Sequence, residues 1–193
     1  MLRPATPAQA DVIKELVDEA AEWLRSKGTD QWSKPWPDAS GRDRRIVDDV
    51  SAGRTWIAWD DDLGIGTITL DLAYPLDAAQ NPVWPADRLE ENALYVHRVV
   101  VRRRYGGQGL GAGLLDWASS QAEALIGNPL LRIDVWTDNH ALHEYYKDQG
   151  FETCGKAEPP DYPAGALFER RTSPNGKSTA KLLLREDGDR PRP

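Results

Sequence analysis

Apolar residues return at helical spacing early in the chain, with Ile13, Leu16, Val17, Ala20 and Leu24 on one stripe. Ahead of them, Thr6-Pro7-Ala8-Gln9 has the form of a capping box with proline in the first turn, and Gly28 supplies a stop. A polar, proline-rich loop spans Gly28 to Gly41, and a short helix is predicted around Asp43 to Val50, closing near Gly53. Two strands follow, Thr55 to Trp59 and Ile65 to Asp71, joined as a hairpin through the acidic turn Asp60 to Gly64. Residues 73–93, broken by Pro75, Pro82 and Pro85, read as an irregular loop. Leu94 to Val101 is a β-branched strand, and the helix after the next glycines is expected to bury Leu110, Leu114, Ala118, Ala122 and Leu125. It stops at Gly127-Asn128-Pro129. Then come a strand over Leu131 to Trp136, a short helix over Asn139 to Gln149, and strands over Phe151 to Lys156 and Ala166 to Arg170. Strands and helices alternate without repeats, which predicts an α/β (α+β) fold with helices covering a sheet. One domain is expected over residues 1–171, with a flexible tail over 172–193, where serine, proline, glycine and charge take over.

With 193 residues the chain is long enough for a sizeable core. No apolar run is long enough to span a membrane, and the start lacks a signal-peptide profile. Cys154 is the lone cysteine and is read as a partly buried hydrophobe; with no internal disulfide, a reducing cytoplasm is the expected location. The net charge of −7 argues against nucleic acid as a partner. Acidic clusters at Asp48-Asp49, Asp60-Asp61-Asp62 and Glu90-Glu91 serve solubility or draw in a cationic substrate. Eight tryptophans are many; most belong in a core, but those in loops can line a pocket.

The segment with most chemistry is Tyr105-Gly106-Gly107-Gln108-Gly109-Leu110-Gly111, wedged between a strand and a long helix. Glycines let backbone amides approach a ligand, and a helix N-terminus adds unpaired N–H donors and a positive dipole end. Together they cradle phosphate oxygens. A P-loop would need Gly-Lys followed by Ser or Thr, which is absent. A dinucleotide fingerprint would need an acidic residue on the next strand, where Asp134 lies, but its βα unit normally comes first in the chain. A purely structural tight turn is the remaining alternative.

Val99 to Leu115, followed by Asn139-His140-Ala141-Leu142-His143-Glu144-Tyr145-Tyr146-Lys147-Asp148-Gln149-Gly150-Phe151, resembles the two signature regions of the GNAT superfamily of acyl-CoA N-acyltransferases. The family's Arg/Gln-x-x-Gly-x-Gly/Ala pattern falls on Gly106 to Gly111, with Gly106 where Arg or Gln is usual. The resemblance covers roughly residues 1 to 171. It implies a mixed, twisted sheet splayed between its fourth and fifth strands, with helices on both faces, and acetyl-CoA as acyl donor.

The same resemblance implies roles for individual residues. The backbones of Val99 and Val101 would pair with the pantetheine arm, while Gly106, Gly107, Gln108, Gly109, Leu110, Gly111 and Ala112 hold the pyrophosphate. Arg103 and Arg104 either add charge there or form a solvated basic turn. Tyr146 would protonate the departing thiolate, or else pack against the sheet; Tyr145 is structural. Asn139 contacts the pantetheine or acyl region, caps its helix, or does both. Tyr95, His97, Val99 and Val101 share a strand face by alternation, which makes His97 a candidate base, with Asp134 and Glu91 as rivals or amine binders. Trp32 and Trp36 either stack on a cationic amine or pin their loop, and Trp84 with Glu90 and Glu91 would form an opposite rim. His140 and His143 stand three apart with no third ligand evident, so no metal is expected.

The function implied is acetyl transfer to a primary amine of a small cationic molecule, metabolite or antibiotic, by direct transfer in a ternary complex. Acetylation of a protein N-terminus or lysine, and a non-catalytic acyl-CoA sensor, are the alternatives. No membrane partner is expected, and the protein is a monomer or homodimer.

Overall fold

A computed structural model describes residues 1–32, 35, 37–73, 83–128, 130–158 and 163–171. Trp36 and the tail over 172–193 therefore lie outside the described residues. Among the described residues, seven strands are hydrogen-bonded in the order β1-β2-β3-β4-β5-β7-β6. They are β1 (Leu2–Pro4), β2 (Thr55–Asp60), β3 (Leu63–Asp71), β4 (Leu94–Val101), β5 (Leu130–Val135), β6 (Glu152–Lys156) and β7 (Ala166–Arg171). The helices are α1 (Ala10–Ser26), α2 (Ala39–Ser51), α3 (Ala86–Leu89), α4 (Leu110–Ile126) and α5 (His140–Asp148). The sheet is mixed: β4 and β5 run parallel, whereas β5/β7 and β6/β7 are antiparallel. No helix of the described residues is long and apolar enough to cross a membrane.

Contacts gather into two compact units. The first holds Met1–Thr69 and Arg98–Trp117. Here the capping box at Thr6 and Gln9 forms as expected, opening a 3-10 turn over Pro7–Gln9 that leads into α1. Helix α1 buries Ile13, Leu16, Val17 and Leu24. At about 1.5–3 kcal/mol per fully buried aliphatic chain, that stripe outweighs the weak propensity of a lone helix. Ala5, Ala10, Ile13, Ile46, Val50 and Ile57 form one core cluster. The hairpin closes through two residues, with Asp61 at φ 50 and Asp60 opposite Leu63. Two features had no clear sequence signal. Strand β1 is only three residues long, and α2 starts at Ala39 because the Asp38 side chain accepts from Gly41 N at 2.7 Å.

The second unit holds, among the described residues, Leu70–His97 and residues 118–171. Pairing between β4 and β5 covers only Leu94↔Leu131 and Tyr95↔Arg132, while β5 continues to Val135 against β7. The parallel ladder thus ends at Tyr95, in keeping with the splayed sheet that the family resemblance implied. Val83, Trp84, Ala93, Tyr95, Leu130 and Leu167 form one core cluster of this unit. Leu125, expected in the core, is 57% exposed, because it falls in the last turn of α4.

Candidate active site

In the first unit, β4 turns at Arg102 into a short 3-10 turn over Arg103–Tyr105, and the chain then passes through Gly106 to Gly109 into α4. Gly107 and Gly109 have φ 77 and 78, conformations that a β-carbon disfavours. A β-carbon on either would meet nothing within 4 Å, so the glycines are needed for backbone shape and not for space. The first N–H of the new helix to return to the loop is that of Gly113, donating to Gly109 O at 2.9 Å. Ahead of it, the main-chain N–H groups of Gln108, Gly109, Leu110, Gly111 and Ala112 find no acceptor among the described residues. The surface of Gly106 to Gly109 is exposed, so these donors face a position that a ligand can reach.

Side chains brace this loop from outside. Glu19 accepts from Arg103 N at 2.6 Å and from Arg102 Nη1 at 2.8 Å. Tyr105 donates its hydroxyl to Asp60 at 2.5 Å, and Gln108 Nε2 donates to Arg104 O at 3.3 Å. Arg103, a candidate phosphate partner, has its guanidinium 4.0 Å above the Trp23 ring. Arg104 is exposed and lies 5.0 Å from the Tyr105 ring. The unusual Gly106 has a local cause: a β-carbon there would lie 2.9 Å from Arg103 Nη1 and 3.0 Å from Arg103 O.

Strand β4 carries a feature that alternation did not foresee. Arg98 has φ 52 in the middle of the strand, a left-handed kink at a residue with a β-carbon. Tyr95, His97, Val99 and Val101 therefore do not share a face by simple counting. Val99 and Val101 are half-buried and Val100 is buried, and His97 is half-buried just before the kink. No sequence signal marks the kink, since neither glycine nor asparagine stands there. Trp32, at φ 61, packs against Leu16, Val17 and Val100, the loop-pinning arrangement.

In the second unit, Tyr146 on α5 is 4% exposed, with the rings of Tyr145 and Phe151 at 5.4 Å and Phe168 at 6.4 Å. Burial pushes its phenol well above the ordinary range, and the charges of Tyr145 and of Asp134 on β5 add to the shift. Its hydroxyl thus stays protonated at neutral pH. Asn139 caps α5, its side chain accepting from Leu142 N at 3.1 Å. His143 Nε2 lies 2.9 Å from Trp136 O, and its ring stands 5.4 Å from His140 and 5.5 Å from Phe168. Among the described residues no group of three His, Cys, Asp or Glu side chains could hold a metal ion. Burial raises the Cys154 thiol to about 11, as suits a packing residue.

Trp84 and Glu91, expected at an acceptor rim, are placed in a partly buried ionic lattice around Arg132. Arg132 is fully buried, stacks 5.3 Å from the Trp84 ring, and donates to Arg88 O, to Glu91 O at 3.3 Å and to Tyr95 Oη at 3.4 Å. Carboxylates of Glu91 and Glu169 stand 3.4 and 3.5 Å away. Taking a guanidinium out of water costs several kcal/mol, so this set of acceptors is what makes its position tolerable. Arg171 grips Glu91 at 2.6 and 2.7 Å and holds that carboxyl below its usual range. Trp84, at 2% exposure, offers a ligand almost no surface. A clue was present in the sequence: Arg132 and Glu169 face each other across β5 and β7, but seeing this needs the strand register.

The model of the acetyltransferase (GNAT) family matches residues 17–151. Uncharacterized N-acetyltransferase YesJ of Bacillus subtilis (strain 168) is 33% identical over 153 residues, covering 79% of this chain and 81% of that protein. A GNAT-family acetyltransferase structure from Listeria monocytogenes 4b F2365 superimposes with a TM-score of 0.68 at 21% identity, covering 89% of this chain and 94% of that one. The PaiA N-acetyltransferase of Thermoplasma acidophilum, solved in complex with coenzyme A, gives 0.67 at 14% identity, covering 89% of this chain and 98% of that one. The family match across most of the fold, including the glycine loop and the Tyr146 helix, shows that this chain belongs to the GNAT acetyltransferase family.

Proposed function

We propose that the protein transfers an acetyl group from acetyl-CoA directly to a primary amine of a small cationic molecule. The observation that carries this reading is the row of N–H groups from Gln108 to Ala112 left unpaired among the described residues, shaped by left-handed Gly107 and Gly109. These donors fit a pyrophosphate, and the coenzyme complex of the similarly folded Thermoplasma protein supports that ligand. Bound acetyl-CoA would supply an activated thioester.

The chain's own residues would do the rest. Main-chain N–H groups of β4 near Val99 and Val101 orient and polarise the acyl carbonyl. His97, directly or through water, takes a proton from the incoming ammonium, so that a neutral amine attacks. Tyr146, whose phenol is protonated at neutral pH, would give its proton to the sulfur that leaves. The acidic balance of −7 suits a cationic acceptor.

The test is thiol release from acetyl-CoA across a panel of primary amines, with the acetylated product identified by mass spectrometry. Amine-dependent release is expected, with a rate that rises toward alkaline pH in wild type and flattens in His97→Ala. Thiol release that never depends on an amine would remove the reading, and an unaltered pH profile in His97→Ala would remove that residue's role.

A further inference from the structure

We infer that Arg98 is a positioning residue for acyl transfer, holding the kink of β4 through a half-buried clamp to Asp49 and Thr69. Arg98 Nη2 donates to Asp49 Oδ2 at 2.9 Å, and the two side chains are only 16% and 13% exposed. Arg98 Nη1 donates to Thr69 Oγ1 at 3.0 Å. Thr69 in turn shares a hydrogen bond with Thr55 at 3.0 Å, both side chains being buried. The second oxygen of Asp49 accepts from Arg54 at 2.8 Å. The guanidinium is thus gripped from α2 and from β3 together.

Such a grip matches what the backbone requires. A non-glycine residue at φ 52 inside a strand is strained, and strain persists only where the surroundings over-determine it. The kink re-aims the main-chain N–H groups of the residues that follow, as bulges in strands do. Those are the groups to which the proposed function gives the acyl carbonyl, so the inference rests on that reading. A long charged side chain on β4 then has a purpose besides packing. It ties the direction of an amide to a helix and a neighbouring strand.

Glycine makes the test selective. Arg98→Ala and Arg98→Gly lose the same clamp, but only alanine leaves a β-carbon at a left-handed φ. The readout is isotope-edited infrared spectroscopy of acetyl-CoA labelled at the thioester carbonyl, with affinity measured by calorimetry. Wild type is expected to lower the carbonyl stretch relative to free acetyl-CoA. Arg98→Ala and Asp49→Ala should lose that shift, with turnover down about tenfold, roughly the rate equivalent of one such strained residue. Their affinity for coenzyme A should stay within about threefold, because the glycine loop is braced separately by Glu19 and Asp60. Arg98→Gly should keep the shift. Should Asp49→Ala fail to fold, Asp49→Asn carries the same comparison, keeping the shape and removing the charge. Equal shifts in wild type and Arg98→Ala, or equal loss in the glycine and alanine variants, would overturn this inference alone. No uptake of acetyl-CoA by wild type would overturn it together with the proposed function.

Discussion

Removing one oxygen, in Tyr146→Phe, separates chemistry from packing. The ring is 4% exposed and held by Tyr145, Phe151 and Phe168, contacts that phenylalanine keeps. No hydrogen bond to the hydroxyl contributes to its acidity shift, so its loss should change stability at neutral pH by no more than about 1 kcal/mol. Turnover should respond differently. A positioned general acid contributes about 10²–10⁴-fold, or roughly 3–5 kcal/mol of barrier. The assay is thiol release at saturating acetyl-CoA, with calorimetry of coenzyme A alongside. The rate constant should fall at least about a hundredfold, with coenzyme affinity within about threefold of wild type. The alkaline limb gives a second readout. Burial raises the folded phenol above the ordinary 10.0, so its contribution is whole below pH 10 and is lost as pH climbs from there toward the folded value. The phenylalanine variant lacks that loss, so above pH 10 wild type should lose stability faster. An unchanged rate constant would refute the proton-donor role, and parallel alkaline profiles would refute the burial argument.

Three further outcomes follow from the same geometry. Gly107→Ala and Gly53→Ala, at φ 77 and 70 with open space around each, should both cost about 1–2 kcal/mol and lower the melting midpoint by roughly 2–8 °C. Only Gly107→Ala should weaken coenzyme A binding, about tenfold or more; equal affinities in the two variants would refute the loop's role. Arg132→Met removes the fully buried cation, but Glu91 keeps Arg171 and Glu169 keeps Arg88, so denaturant unfolding should show a loss of about 1–3 kcal/mol. A variant as stable as wild type would show that the lattice is dispensable. Cys154, its thiol raised to about 11, should react with a disulfide reagent far more slowly at neutral pH in the folded protein than in denaturant, and equal rates would contradict its burial.

Much of the architecture was legible because it rests on local signals. The stripe from Ile13 to Leu24, the capping box at Thr6, the β-branched run into the glycines and the stop at Gly150 each name an element without reference to distant residues. The glycine loop was legible for the same reason, since helix-starting glycines carry their own conformational demand. What escaped depends on partners far along the chain. The kink at Arg98 is held by Asp49 and Thr69 and has no residue signature. Counting by twos along β4 therefore failed past His97. Trp84, a loop tryptophan by sequence, is drawn into the core by Arg132, which needs the β5/β7 register to be seen. The three-residue β1 and four-residue α3 are too short to show a period.

The most direct measurement is a calorimetric titration of the folded protein with coenzyme A, repeated with Gly107→Ala. Saturable uptake by wild type, weakened at least about tenfold in the variant, is the predicted result. Folded wild-type protein that takes up no coenzyme A would contradict the account at its root.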